Sequence, residues 1–416
     1  MNVDSWGEPV SGTADSVACW DRAWARLLHY RGDPMTELEE ANRDDPAFVL
    51  GPVFNAAYYV LSGTPSDAAP LRSEVERVEQ RVDAADEREQ AHARALKHHL
   101  AGDYSKAAAV WDEIAATSHD FAAVRIAHDI YLHVGDSEGR MRSSRAAADS
   151  WRPDDHGYGF VQGQLAFALE ESGRLNEAEQ VGRAALDLDP HDLWARHALA
   201  HVYETADDQQ GALDLLDGPD AVWHDQDALS THIWWHLALR LISAGEYQRV
   251  LFIHDQELAV ANTAFRLCDL TSLLWRLELV GVDVADRWSL LADRWATIAE
   301  RHTCGFIDMH ACLVFLRRSE HPGAAPFFAG LAAAHEAPIS ENARTFGEVV
   351  RPLLVAIRAH VEGDHAVAVA GLDRLEPDIR RIGGSHAQHE LFTLTRDASA
   401  SRSLSPNQGT TKAASR

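Results

Sequence analysis

The sequence is short of positive charge, of cysteine and of long apolar runs, and each shortage removes a class of function. Lysine and arginine number 38 against 64 aspartates and glutamates, a formal net charge of −26. Such a surface repels phosphate backbones and anionic headgroups, so neither nucleic acid nor membrane is expected as a partner. No stretch approaches the roughly 18 consecutive apolar residues of a membrane span. The first residues, MNVDSWGEPVSG, carry acids and no apolar run, and do not read as a signal peptide. The four cysteines, Cys19, Cys268, Cys304 and Cys312, form no C-x-x-C pair. They read as reduced thiols of a cytoplasmic protein rather than as disulfides or a thiolate metal site. Dinucleotide, P-loop and G-x-S-x-G motifs are missing, as is any alternating strand pattern of useful length.

What is present is a helical repeat. The chain has 416 residues, 46% hydrophobic and 25% charged, enough to bury a sizeable core. A period of about 34 residues runs along it. The clearest unit, residues 159–192, sets Leu165, Ala166, Leu169, Gly173, Ala178, Ala185 and Pro190 where a tetratricopeptide repeat needs its large, small, glycine and proline positions. The alanines let two antiparallel helices approach closely. Gly173 permits the turn between them, and Pro190 ends the second helix. The frame recurs with turns at Gly102, Gly135, Gly245, Gly281 and Gly363, while Asp207 replaces the turn glycine in the unit 193–226. Small positions fall at Ala107, Ala212, Ala325 and Ala368. The expected fold is therefore all-α, a tetratricopeptide-repeat-type α-solenoid of about eight helix pairs with a concave inner face. Residues 14–63 read as a helix pair broken at Gly32–Pro34 and a third helix past Pro52. Residues 1–13 read as a tail, 14–396 as one superhelical domain, and the Ser/Thr-rich 397–416 as a disordered tail. The stretches 65–70 and 218–230 read as loops between units.

The frame also says what faces inward. Positions two, five, nine and twelve of each first helix share the concave side. In the unit 193–226 these are Trp194, His197, His201 and Glu204, within about 80° of one helical face. The next unit adds His232 and Trp235, with His236 one residue over and Trp234 beside them. His92 and His99 occupy the face in the unit near 88, and His310 follows Asp308 in the unit near 306. Asp269 reads first as a helix cap in LCDLTSLLWRLE, or as a carboxylate reaching the site. Trp275 falls at an inner position, whereas Arg276 and Glu278 suit an ion pair. In RRIGGSHAQHELF, Gly383 and Gly384 break a helix and Ser385 with Gln388 fits a capping box. Alternatively the free amides there, with His386, bind an anionic group.

Three readings of the histidine stripe stand side by side. The imidazoles are core residues bonded to carbonyls and carboxylates. Or His197, His201, His232 and His236 hold a divalent metal, since histidines at i and i+4 point to one place. Ala198 stands where H-E-x-x-H needs its glutamate, which removes the metalloprotease inference. Or the pocket is metal-free, with His and Glu as hydrogen-bond or acid/base groups beside tryptophans.

The segments WARHALAHVYE, STHIWWHLAL, CDLTSLLWRLELVG, FIDMHA and IGGSHAQHELF, in this order and spacing, resemble the tetratricopeptide-repeat protein 38 family. The resemblance runs from about residue 100 to 395 and marks His197, His201, Glu204, His232, Trp235, His236, Asp269, Trp275, Arg276, Glu278, Asp308, His310, Gly383, Gly384, Ser385, Ala387 and Gln388. The departures are His386 and His389, where the family more often has amide-like and basic residues. It implies a soluble repeat protein without an established general activity. The expected function is a cytoplasmic binding protein that holds a small molecule or short peptide through Trp194, Trp235, Asp269, Trp275, Arg276, Ser385 and Gln388. The rival is an enzyme, possibly a metal-assisted hydrolase, built from His197, His201, Glu204, His232, His236 and His310. A plain protein-interaction scaffold is the third.

Overall fold

A computed structural model describes residues 2–404 apart from 65, 67, 219–222, 224–228, 259–262, 299–301, 303 and 335–340. The described chain is all-helical save for one small hairpin. From residue 87 the helices come in antiparallel pairs, beginning with Glu87–Leu100 and Tyr104–Thr117. Six pairs turn on a left-handed glycine at the expected place: Gly102, Gly135, Gly173, Gly245, Gly281 and Gly363 all have positive φ. Asp207 takes the same turn with φ 53°, a strained setting that aspartate tolerates better than most side chains. Ala107, Ala178, Ala212 and Ala368 are completely buried between the helices of their pairs. In the pair Gly305–Arg317 and Ala324–Ala334 it is Ala324, not Ala325, that is buried. The His-Pro-Gly turn at 321–323 shifts the second helix there by one residue.

First helices pack on first helices in a continuous row: Tyr158–Glu170, Leu193–Thr205, Ser230–Ser243, Ala264–Leu279 and Gly305–Arg317. The row does not enclose an open groove. A tight turn at Glu376–Ile382 packs against the Phe121–Val134 helix, and the helix His386–Leu404 lies on Leu193–Thr205, Ala264–Leu279 and Arg351–Glu362. The chain's own C-terminal segment therefore lines the inner face. The row also curls back on itself. Gly63 abuts the ring of Phe265, and both carboxylate oxygens of Glu341 accept from the backbone amide and hydroxyl of Ser105.

Both expected tails need correction. Asn2–Val3 pairs with Pro9–Val10, Val10 is fully buried, and Trp6 packs edge-on against Trp20 and Trp24. An acidic, Gly-containing start hid a tryptophan anchor. At the other end the helix continues through residue 397 to Leu404, with Ser399 buried and bonded to His360 Nδ1 at 2.6 Å. Small serines and alanines there fit a close helix approach, which composition alone does not reveal; 405–416 lie outside the described residues. The loop placed at 65–70 ends early, because a helix starts at Ala69 with Pro70 in its first turn. Most of the stretch 218–230 lies outside the described residues. In the N-terminal region a break follows Leu28, and Pro52 falls inside the helix Leu50–Leu61 rather than before it. Cys19, Cys268, Cys304 and Cys312 are all unpaired. No helix among the described residues is long and apolar enough to cross a membrane.

Candidate metal centre

The helix Leu193–Thr205 starts at Asp192, whose carboxylate accepts from the amides of Trp194 and Ala195 at 2.9 and 3.0 Å. That cap fixes the helix phase, so His197 and His201 project from one side, one turn apart. The Ser230–Ser243 helix packs alongside and brings His232 and His236 to the same point. One ring nitrogen from each of the four imidazoles lies within 4.8 Å of the others. Ring centroids are 4.6 Å apart for His197 and His201, 4.5 Å for His201 and His236, and 4.9 Å for His232 and His236. His197 and His201 face each other Nε2 to Nε2 at 3.0 Å.

The outer nitrogens of His232 and His236 have carboxylates. His232 Nδ1 is 3.0 Å from both oxygens of Asp269, and His236 Nδ1 is 3.1 Å from Glu204. His201 Nδ1 is 3.8 Å from Glu170. A carboxylate at Nδ1 keeps the proton there and leaves Nε2 with a free lone pair, the tautomer a metal-ligating histidine needs. Nε2 of His236 has no partner in the protein although it is buried, as is Nδ1 of His197. Burial pushes His197, His201 and His236 well below the ordinary imidazole range, and the neighbouring imidazoles push the same way. Those three imidazoles are thus neutral, with lone pairs to offer. A tetrahedral zinc site holds its nitrogens about 3.3 Å apart; the His197–His201 pair, at 3.0 Å, is close to that spacing, and the other nitrogens lie within 4.8 Å.

Acidic groups around the tetrad match a buried dication. Burial and the adjacent Glu171 push Glu170 up to about 8, and Thr205 donates to it at 2.6 Å. Burial also raises Glu204, opposed by Arg240 and Arg276. A second group, Glu170, Glu171 and His201, has the spacing of metal ligands too. Glu171, however, is occupied by Arg140 at 3.2 Å and by the amide of His386 at 2.9 Å.

Tryptophans wall the tetrad. Trp235 stacks on His232 at 5.1 Å and 9°, and Arg276 sits over its other surroundings with its guanidinium 5.5 Å from the indole. Trp194 lies 5.0 Å from His197, with Arg125 over its ring at 4.5 Å. Phe167 stacks on His197 at 5.2 Å. Trp234 instead meets Trp223, edge to face at 4.5 Å.

The remaining expected residues sort into supports and bystanders. Asp269 is no helix cap: the helix runs Ala264–Leu279, so Asp269 is interior to it and reaches His232. Trp275 donates to Thr395 at 2.8 Å, and Arg276 donates to the Ala387 carbonyl at 2.7 Å; both hold the C-terminal helix rather than a ligand. Glu278 pairs with Arg317 on the far side and accepts from Trp288. Ser385 and Gln388 form the expected capping box, with Ser385 N to Gln388 Oε1 at 2.9 Å. The anion at that helix start is the protein's own Glu171, held by the His386 amide. His310 stands outside the tetrad and donates Nδ1 to the Phe306 carbonyl at 2.8 Å. His302, from the preceding loop, takes Asp308 at 3.1 Å. His92 is bonded on both nitrogens, to Asp120 and Trp111, and lines no groove.

Phe167, Glu170 and Glu171 escaped the sequence reading. The same frame finds the first two: counted from residue 159, Phe167 is position nine and Glu170 position twelve, the places of His201 and Glu204 in the next unit. No protein-family model matches the chain.

Proposed function

We propose that this chain is a cytoplasmic repeat protein of the tetratricopeptide type, akin to the tetratricopeptide-repeat protein 38 family, whose inner face binds one divalent transition-metal ion. His197, His201, His232 and His236 are the ligands. Asp269, Glu204 and Glu170 are the carboxylates behind them. One observation carries the reading: Nδ1 of His232 and His236 is committed to carboxylates while the buried Nε2 of His236 has no partner. A core histidine pays its desolvation back through hydrogen bonds on both nitrogens; this nitrogen has an unmet lone pair where the other imidazoles converge. An all-imidazole set favours zinc or copper over magnesium or calcium, which take oxygen ligands.

Because the chain's own C-terminal segment lies on the inner face, a small ligand beside Trp235 suits the site better than a long peptide. Metal-assisted hydrolysis is the second reading, favoured by His232. Its side chain keeps 15% exposure whereas His201 and His236 keep 1% each, so a small molecule approaches the ion from that edge. His197, His201 and His236 would hold the ion, which would supply Lewis-acid chemistry on the His232 side.

Elemental analysis of protein expressed in metal-replete medium tests the proposal. About one equivalent of zinc or copper is expected, retained through dialysis and absent from the His201→Ala/His236→Ala double variant. Less than about a tenth of an equivalent in the wild-type protein, with no uptake on titration, ends the reading.

A further inference from the structure

A second hollow lies where the curled row of helices meets itself, and it shares no residue with the tetrad. Its volume is about 210 Å³, and its walls come from both ends of the chain, from Val60 and Gly63 through His99 and His133 to Phe265 and Arg381. An apolar cavity of about 150 Å³ is large enough to take benzene. This one therefore has room for a benzene ring with a short substituent.

The walls select what that molecule is. His133 and Phe265 lie nearly parallel, 16° apart with centroids at 5.7 Å, and His99 lies against Tyr104 at 4.8 Å. Flat side chains thus line two sides, the surroundings that an aromatic ring prefers. Burial holds His99 down to about 3 and lowers His133, so neither imidazole brings charge. Nδ1 of His99 is buried without a partner.

Charge at the hollow comes from three residues. Glu341 has both oxygens filled by Ser105 at 3.0 and 2.6 Å. Arg381 is shared between Glu348 and Asp378. Arg344 lines the same hollow, is exposed, and makes no ion pair within 4 Å among the described residues; Asp103, the acid that feels its charge, is paired with Lys106. The uncommitted charge is positive and forked, the shape that takes a carboxylate by two parallel bonds. We infer that this cavity binds a monocyclic aromatic carboxylate, its ring among His99, His133 and Phe265 and its carboxylate on Arg344. Such a ligand bridges the first and last turns of the spiral.

Calorimetric titration of the full-length protein tests this with three probes: phenylacetate, its neutral relative benzyl alcohol, and acetate. Phenylacetate is expected to bind saturably at one equivalent, and the other two at least about tenfold more weakly. Arg344→Gln is expected to weaken phenylacetate about tenfold and to leave benzyl alcohol unchanged. The exposed position of Arg344 keeps that variant folded, and its melting temperature checks this. His201→Ala/His236→Ala is expected to bind phenylacetate as the wild type does, which separates this cavity from the metal proposal. Three results each overturn the inference: no saturable phenylacetate binding below about 10 mM, equal affinity for benzyl alcohol, or no effect of Arg344→Gln.

Discussion

Two buried histidine clusters in this chain look alike in sequence and differ in how their nitrogens are used. His92 is fully buried; its Nδ1 accepts from Trp111 at 3.1 Å and its Nε2 donates to Asp120 at 2.9 Å. Arg88 and the Ala123 amide complete Asp120. Burial pushes the Asp120 carboxyl up, but His92 and Arg88 outweigh it and hold the group well below the usual range. Every polar atom of that imidazole is paid for. In the tetrad, carboxylates take only the outer nitrogens of His232 and His236, while His197 and His201 face each other through Nε2 and keep a buried Nδ1 without a hydrogen bond. Both arrangements put an imidazole on the same face of a first helix. What sets the tetrad apart from His92 is that its unpartnered nitrogens belong to a set of four imidazoles that converge on one point.

Four measurements sharpen or break that contrast. His201→Ala is expected to lower zinc affinity more than about a hundredfold in chelator competition, exceeding the usual loss from a supporting residue, whereas His92→Ala leaves affinity unchanged. If His92→Ala weakens the metal equally, the two clusters are not distinct. His92→Ala is expected to cost about 3 kcal/mol of stability in urea titration, because the Trp111 N–H is left unpaired and Asp120 loses its donor. Glu204→Gln keeps the shape of the support but lowers its basicity, and is expected to weaken metal binding about tenfold with little change in unfolding.

The last measurement concerns His310, which stands outside both clusters. Burial holds its imidazole down to about 4, so the folded chain keeps it neutral. The unfolded chain takes up that proton below about 6.5. Stability from this group is therefore present above about 6.5 and is lost as pH falls toward 4, at about 1.4 kcal/mol per pH unit. His310→Gln retains a donor for the Phe306 carbonyl and is expected to flatten the fall by that slope. An unchanged slope in urea midpoints across that range removes His310 from the account.

The helix pairs were legible because glycine and alanine do mechanical work at fixed intervals. Gly173 and Gly363 turn through φ 74° and 89°, and even the replacement at Asp207 kept the left-handed turn. The tetrad was legible as two i, i+4 pairs because helical phase alone brings each pair together. Asp269 was misread because LCD looks like a helix start, while the true start at Ala264 carries no strong capping signal. Glu170 is less legible, because the large, small and glycine positions of its unit report packing and the inward face there carries no histidine. The filling of the inner face was beyond sequence reasoning. It depends on contacts such as His386 with Glu171, separated by 215 residues, which no local pattern encodes.

That long separation has a consequence for how the molecule is made. Ribosomes release the chain from its first residue onward, so the helices carrying the imidazoles emerge and pair long before the segment 383–404 that rests on them. Until the final residues leave the tunnel, Glu171 lacks the His386 amide and Arg276 lacks the Ala387 carbonyl. The helices that carry the four imidazoles thus stand paired but uncovered until residues 383–404 arrive to complete their polar contacts.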